Sequence, residues 1–348
     1  MLLPTANTMD GAIEVARKII QTMSTPVVIG QRNLDVSLSI GIALYPAHGE
    51  NSEILQRRAD SAMYVAKRTQ SGYRVFSEDL SADEEGRLTM QSDLKRAIDA
   101  AEFFLHYQPK IDFEHSLVKG VEALVRWQHP EKGLIMPDRF IPLAEKTGLI
   151  KPLTNDILKM ALKQCRAWQE AGLDLTVAVN ISAISVQDPD FPDQIGRLLT
   201  QYQLHPNRLE LEVTESAVMT DPARAIDCIR RLAETGILVS IDDFGTGYSS
   251  MTNLKDFMVA KIKIDRSFVK DMATRHSDDV IVRSTIELGH NLGLKVVAEG
   301  VEDKAAWERL KSLGCDSAQG YYMSRPLSPD AFLDWLNKSP WKASSSGT

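Results

Sequence analysis

Residues 237–248 read Ile237-Leu238-Val239-Ser240-Ile241-Asp242-Asp243-Phe244-Gly245-Thr246-Gly247-Tyr248, a short, mostly apolar run that leads into two adjacent carboxylates and a glycine-bearing loop. A run of that length bounded by turn residues reads as a buried strand. The same design recurs on either side of it: apolar segments also run into Glu122, Asn180, Glu212, Lys263 and Glu299. Strands are predicted over 177–179, 209–213, 237–241, 260–264 and 294–298, separated by amphipathic helical stretches such as 153–168 and 280–292. Repeated strand-helix order implies parallel strands joined by helical crossovers. Roughly 250 residues of it fit a (β/α)₈ barrel about as well as an open doubly wound sheet, and periodicity alone does not choose.

In either fold the carboxyl edge of the strands gathers the βα loops and carries the chemistry. Several carboxylates aimed at one mouth lose hydration and repel one another, so their convergence is costly unless cations neutralise them. Carboxylates with one amide oxygen, and no histidine or cysteine at these strand ends, suit Mg²⁺ or Mn²⁺ better than zinc or copper. Two such ions, bridged by the Asp242-Asp243 pair, could activate a water and stabilise the leaving oxygen of a phosphodiester. Lys263 alternates with isoleucines and shares a face with Lys261, so it can point inward and meet phosphate charge. Each residue also has a plainer reading. Asp242-Asp243 can cap a following helix, Asn180 can bond to backbone, Lys263 can pair with Asp265, and a lone glutamate after a strand is usually solvated.

Composition bounds the rest. The chain has 348 residues, 43% hydrophobic and 25% charged, which suits about two globular units. Forty basic and 47 acidic residues leave a net charge of −7, so duplex nucleic acid and anionic membranes have no broad electrostatic attraction to it. No apolar run is long enough to span a bilayer. Three widely separated cysteines, Cys165, Cys228 and Cys315, suit a reducing compartment, and a cytoplasmic location is expected. Ahead of the strand-helix alternation the pattern is different. A helix is predicted over 7–23, a one-face-wet strand over 34–45, a second helix capped by Ser52, and a short strand over 73–76. The acidic, glycine-containing stretch 78–87 reads as a linker between units 1–77 and 88–340. The serine-rich end, 341–348, reads as a disordered tail.

The blocks Tyr107-Gln108-Pro109-Lys110, Glu122-Ala123-Leu124-Val125-Arg126, Val179-Asn180-Ile181-Ser182, Glu212-Val213-Thr214-Glu215-Ser216, Lys263-Ile264-Asp265, Ala298-Glu299-Gly300-Val301-Glu302 and Gln319-Gly320-Tyr321 join the opening stretch in order and spacing. Together they resemble an EAL-domain cyclic di-GMP phosphodiesterase over about residues 88–337. That resemblance implies a modified (β/α)₈ barrel with one antiparallel strand, which decides between the two folds. It implies that Glu122, Asn180, Glu212 and Asp242 hold one Mg²⁺ or Mn²⁺ ion, and that Asp242, Asp243 and Glu299 hold or border a second. Lys263 and Glu299 are the implied catalytic residues, the lysine at the attacking water or scissile phosphate and the glutamate as general base. Arg126 would grip a substrate phosphate, with Gln108 and Leu124 beside the substrate and Gln319 by the metal-water network. Glu215 with Phe244, Gly245, Thr246 and Gly247 would couple dimerisation to metal binding, so a homodimer through the barrel is expected. The implied reaction opens one phosphodiester of cyclic di-GMP to linear diguanylate. A sensor that binds the dinucleotide without turnover and acts through a protein partner is the alternative.

The first unit is similar to something else. Ser39-Ile40-Gly41-Ile42-Ala43 and 59–67, Ala-Asp-Ser-Ala-Met-Tyr-Val-Ala-Lys, resemble the later half of a GGDEF, or diguanylate cyclase, domain without its signature motif. Cyclase activity is therefore not expected. Regulatory input, and any membrane tether, would lie upstream in a parent protein.

Overall fold

The structure, a computed structural model, describes residues 8–23, 27–29, 32–34, 38–68, 71–246 and 258–343. Two compact units divide between Asp93 and Leu94. In the first, a helix over Met9–Met23 buries Ala12 and Ala16, four residues apart on one face. The predicted strand over 34–45 is not continuous. Arg32–Leu34 pairs antiparallel with Val27–Ile29, whereas Ile40–Ile42 pairs parallel with Tyr73–Val75, and residues 35–37 lie outside the described ones. The ladder is short because its partner strand is only three residues long. Gly41 lets that strand lie against the helix Ser52–Arg68, since a Cβ there would sit 1.8 Å from the Ala59 carbonyl oxygen. The cap of this helix is Asn51 rather than Ser52: its Oδ1 accepts from the Ile54 N–H at 2.9 Å.

The stretch 78–87, read as a linker, is instead the first half of a continuous helix, Glu78–Asp99. A single glycine is tolerated in a helix of this length.

Eight strands close the barrel of the second unit: β1 (Phe103–Asp112), β2 (Leu117–His129), β3 (Thr176–Ile181), β4 (Leu209–Thr214), β5 (Leu238–Phe244), β6 (Lys261–Ile264), β7 (Lys295–Ala298) and β8 (Ser317–Ala318). Parallel pairing runs from β2 through β8, and β1 seals the ring by pairing antiparallel with both β2 and β8. The inverted first strand follows from chain length. Only residues 113–116 join β1 to β2, enough for a hairpin but not for the crossover that a parallel neighbour needs. This is the modified (β/α)₈ barrel, with its one antiparallel strand, that the sequence resemblance implied. Outside the ring, the helix Ile150–Glu170 buries Leu153, Ile157, Ala161, Cys165 and Trp168 along one stripe.

The chain end departs from the expected disordered tail. Lys342–Ala343 pairs with Leu117 and Val118, and Trp341 lies against the rings of Trp307, Tyr322 and Trp335. Aromatic burial of this kind holds a terminus that composition alone marks as loose. Residues 344–348 lie outside the described ones.

Candidate active site

Alternation along a strand sends every second side chain into the barrel. On β4 those residues are Glu210 and Glu212, on β6 Lys261 and Lys263, on β1 Gln108 and Lys110, and on β2 Glu122 and Leu124. Lys263, with 0% of its surface exposed, is the hub. Its Nζ donates to Glu212 Oε2 at 2.6 Å and lies 3.1 Å from Asp242 Oδ2 and 2.6 Å from Glu299 Oε1. The plainer pairing with Asp265 is not made. Asp265 instead caps a short helix through Ser267, and Lys263 stays inside the barrel. Burial alone would strip its charge, but Glu122, Glu212, Glu299 and Asp242 around it hold its pKa well above the usual lysine value.

A second chain of contacts runs from the opposite wall. Glu122 Oε1 accepts from Asn180 Nδ2 at 2.6 Å, and its Oε2 accepts from Gln319 Nε2 at 2.5 Å. Gln319 Nε2 also donates to Gln108 Oε1 at 2.9 Å, and Gln108 Nε2 donates to the Ser324 carbonyl. Gln319 reaches this position because Gly320 lets the loop after β8 lie against the loop after β7. A Cβ at 320 would fall 2.1 Å from the Val301 carbonyl oxygen. Asn180 thus uses its side chain on Glu122 rather than on backbone.

Adjacent strand residues should face opposite ways, yet Asp242 and Asp243 both serve the mouth. The reason is a bulge: Ile241 pairs with Ile262 and Phe244 with Ile264, so three steps on β5 oppose two on β6. Asp243 takes up the extra residue in the left-handed region at φ 53°, a conformation aspartate tolerates better than most side chains. Its N–H donates to Asp242 Oδ1 at 2.9 Å, so the pair is a strand-end device and not a helix cap. Asp242, Asp243 and Glu299 each offer one oxygen, all within 4.8 Å of one another.

Their electrostatics show an excess of negative charge. Burial, with Asp242 and Asp265 beside it, pushes Asp243 up to about 6. Burial also pushes Glu299 up to about 8; Lys263 opposes the rise, and Asp242, Glu122 and Glu212 add to it. Gln319 Oε1 is buried without a hydrogen-bond partner among the described residues, an acceptor beside Glu122 left over for water or a cation. An all-oxygen donor set with unneutralised charge fits hard divalent cations.

Arg126 is buried two residues beyond Leu124 on the same face of β2, and its Nη1 donates to the Val125 carbonyl. Glu215, buried at the start of the helix Glu215–Thr220, accepts from the Gly245 N–H at 3.3 Å through Oε2, while Oε1 has no partner among the described residues. It therefore touches the loop that begins at Phe244. Thr246 bonds back to the Asp243 carbonyl, and Gly247 lies outside the described residues. Sequence reading passed over Lys110 and Glu210, both buried beneath the mouth. The period-two spacing that marked Lys261 with Lys263 also links Glu210 with Glu212 and Lys110 with Gln108.

A barrel with this site defines a family. The EAL domain matches residues 91–326, and the GGDEF domain, described as diguanylate cyclase, matches residues 1–72. The chain belongs to the EAL-domain family, with a GGDEF-like segment ahead of the barrel. Among curated relatives, the bifunctional diguanylate cyclase/cyclic di-GMP phosphodiesterase MucR of Pseudomonas aeruginosa is 41% identical over 96% of this chain and 49% of its own length. The cyclic di-GMP phosphodiesterase PdeR of Escherichia coli is 35% identical over 97% of this chain and 51% of its own. The chain spans about half the length of these relatives. Among solved structures, the PaMucR phosphodiesterase in complex with c-di-GMP is 42% identical with a TM-score of 0.68, covering 70% of this chain and 99% of that one. The EAL enzyme Bd1971 in its cAMP and cyclic-di-GMP bound form is 29% identical with a TM-score of 0.69, covering 82% and 76%.

Proposed function

We propose that this chain hydrolyses one phosphodiester bond of cyclic di-GMP, giving linear diguanylate, with two Mg²⁺ or Mn²⁺ ions at the barrel mouth. The observation that carries the reading is the convergence of Asp242, Asp243 and Glu299 within 4.8 Å, around a lysine that also holds Glu212. Glu122, Asn180, Glu212 and Asp242 would hold one ion, and Asp242, Asp243 and Glu299 the other. Bound there, divalent cations would supply positive charge to the phosphodiester and lower the pKa of an attacking water. Glu299, half-buried beside Lys263 and ionised when cations bind, accepts the water's proton. Lys263 Nζ meets the charge that grows on the phosphoryl oxygens as one phosphorus–oxygen bond forms and the bond to the sugar oxygen breaks. Gln108, through Gln319, orients Glu122; Arg126 grips a substrate phosphate and Leu124 lines the substrate.

Names of relatives and the bound dinucleotide in solved neighbours support this substrate. The three cysteines are free and buried, which supports a reducing compartment and hence the cytoplasm. No helix among the described residues is long and apolar enough to cross a membrane. Within the proposal, residues 1–77 form a GGDEF-like half-domain and 88–340 the phosphodiesterase barrel. The contact between Glu215 and Gly245 ties the helix Glu215–Thr220 to the loop that begins at Phe244, the element that would couple cation binding to dimerisation through the barrel.

Incubation of the chain with cyclic di-GMP and Mn²⁺, followed by chromatography, tests the reaction. Linear diguanylate should accumulate, and the product should vanish with chelator or in Asp242→Asn. Tight binding with the cyclic form intact would replace the enzyme with a sensor.

A further inference from the structure

Beneath the mouth the barrel interior carries a ladder of alternating charge. Lys261 Nζ donates to Glu210 Oε2 at 2.6 Å, and Lys110 Nζ donates to Glu210 Oε1 at 3.3 Å and to Glu212 Oε1 at 2.5 Å. Lys263 takes the other oxygen of Glu212. Glu210 is 0% exposed and Lys110 4%, so water has little part in the arrangement. A buried carboxylate with both oxygens bonded to ammonium groups on different strands has almost no rotational freedom. The two oxygens of Glu212 are not equivalent, however. Lys263 also serves Asp242 and Glu299 and belongs to the mouth, while Lys110 is anchored from below by Glu210. A cation at the mouth would meet Glu212 from the side of Lys263, whereas the other oxygen is bonded to Lys110, which Glu210 also contacts.

We infer that Lys110, itself seated by Glu210, is a positioning residue that fixes the Glu212 carboxylate so that one oxygen is presented to the divalent cation. The inference rests on the metal-dependent reading above. Groups behind a metal ligand usually matter by 10- to 100-fold in metal affinity or activity, the range expected here. Charge and geometry can be separated. Lys110→Met removes a cation near the site, so Coulomb attraction alone would tighten Mn²⁺ binding, whereas loss of positioning loosens it. Glu210 and Glu212 keep Lys261 and Lys263 as partners, so this variant retains a cation for each carboxylate. The double variant Lys110→Met/Glu210→Gln leaves net charge unchanged, and Lys261, being partly exposed, can turn to water.

The test is Mn²⁺ binding by electron paramagnetic resonance without dinucleotide, alongside thermal melting and steady-state kinetics with cyclic di-GMP. The double variant should melt near the parent chain, bind Mn²⁺ about tenfold more weakly, and lose a similar factor in kcat with KM for the dinucleotide little changed. Lys110→Met should also bind Mn²⁺ more weakly. Unchanged or tighter Mn²⁺ binding in a folded variant overturns the positioning role, and failure of both variants to fold assigns the ladder to stability alone. Mn²⁺ binding by the parent chain without hydrolysis removes the proposed reaction and leaves the positioning role to the Mn²⁺ readout. A parent chain that binds no Mn²⁺ overturns both.

Discussion

Asp243 and Glu299 hold protons more tightly than ordinary carboxyl groups because burial and neighbouring carboxylates penalise their ionised forms. Both values lie above those of the unfolded chain, so between the unfolded and folded pKa the native state binds more protons. The stability these two groups contribute in the metal-free chain is fully present below about 4, falls as pH rises through about 6 for Asp243 and about 8 for Glu299, and is lost above. A divalent cation needs both groups ionised, so its binding releases protons and strengthens over the same interval. Mn²⁺ affinity should therefore rise steeply from pH 6 to 8, with proton release measurable by calorimetry in buffers of different ionisation enthalpy. A flat profile would show that these carboxyls do not meet the cation. The residue scale is also where sequence reading went furthest. Glu122, Asn180, Glu212, Asp242, Lys263 and Glu299 stand out from strand-end chemistry, and the fold brings these side chains to one mouth. Asp243 was found only as the neighbour of Asp242, because strict alternation points it away from the site.

At the scale of elements, what the sequence hid is the geometry between strands. The bulge that turns Asp243 inward depends on the pairing of β5 with β6, and nothing in residues 237–248 alone reveals an extra residue. The acidic stretch 78–87 misled for a related reason. Charge and one glycine suggest a linker, but a single glycine costs a long helix only about 1 kcal/mol. The closing strand β8 is two residues long and was not visible as a strand, yet it leads directly to Gln319. Gly320→Ala should force that loop away from Val301 and carry Gln319 with it. Turnover should fall by about tenfold or more while the melting temperature shifts by only a few degrees, the usual cost of disturbing a group behind a metal ligand. Activity equal to the parent chain would mean that the loop relaxes without moving Gln319.

For the whole molecule, repeated strand-helix order left a barrel and an open sheet equally open, and motif resemblance chose the barrel that the structure displays. Closure has a functional consequence. An open sheet would leave Gln108 and Glu122 at one edge, far from Lys263, whereas the inverted β1 seals the ring by pairing with β8 and sets Gln108 beside Gln319. The proposed dimer belongs to this scale. Sedimentation in the presence of Mn²⁺ and cyclic di-GMP should give a species of twice the 38.7 kDa chain mass, and a strictly monomeric active enzyme would remove the coupling assigned to Glu215. Divalent cations are the proposed reason that these carboxylates meet. A crystal grown with Ca²⁺ and cyclic di-GMP tests that directly. Two ions about 3.5 to 4 Å apart should lie on Glu122, Asn180, Glu212, Asp242, Asp243 and Glu299, with one phosphate of the intact dinucleotide between them and Lys263. A dinucleotide bound at the mouth with no ion on those side chains would contradict it.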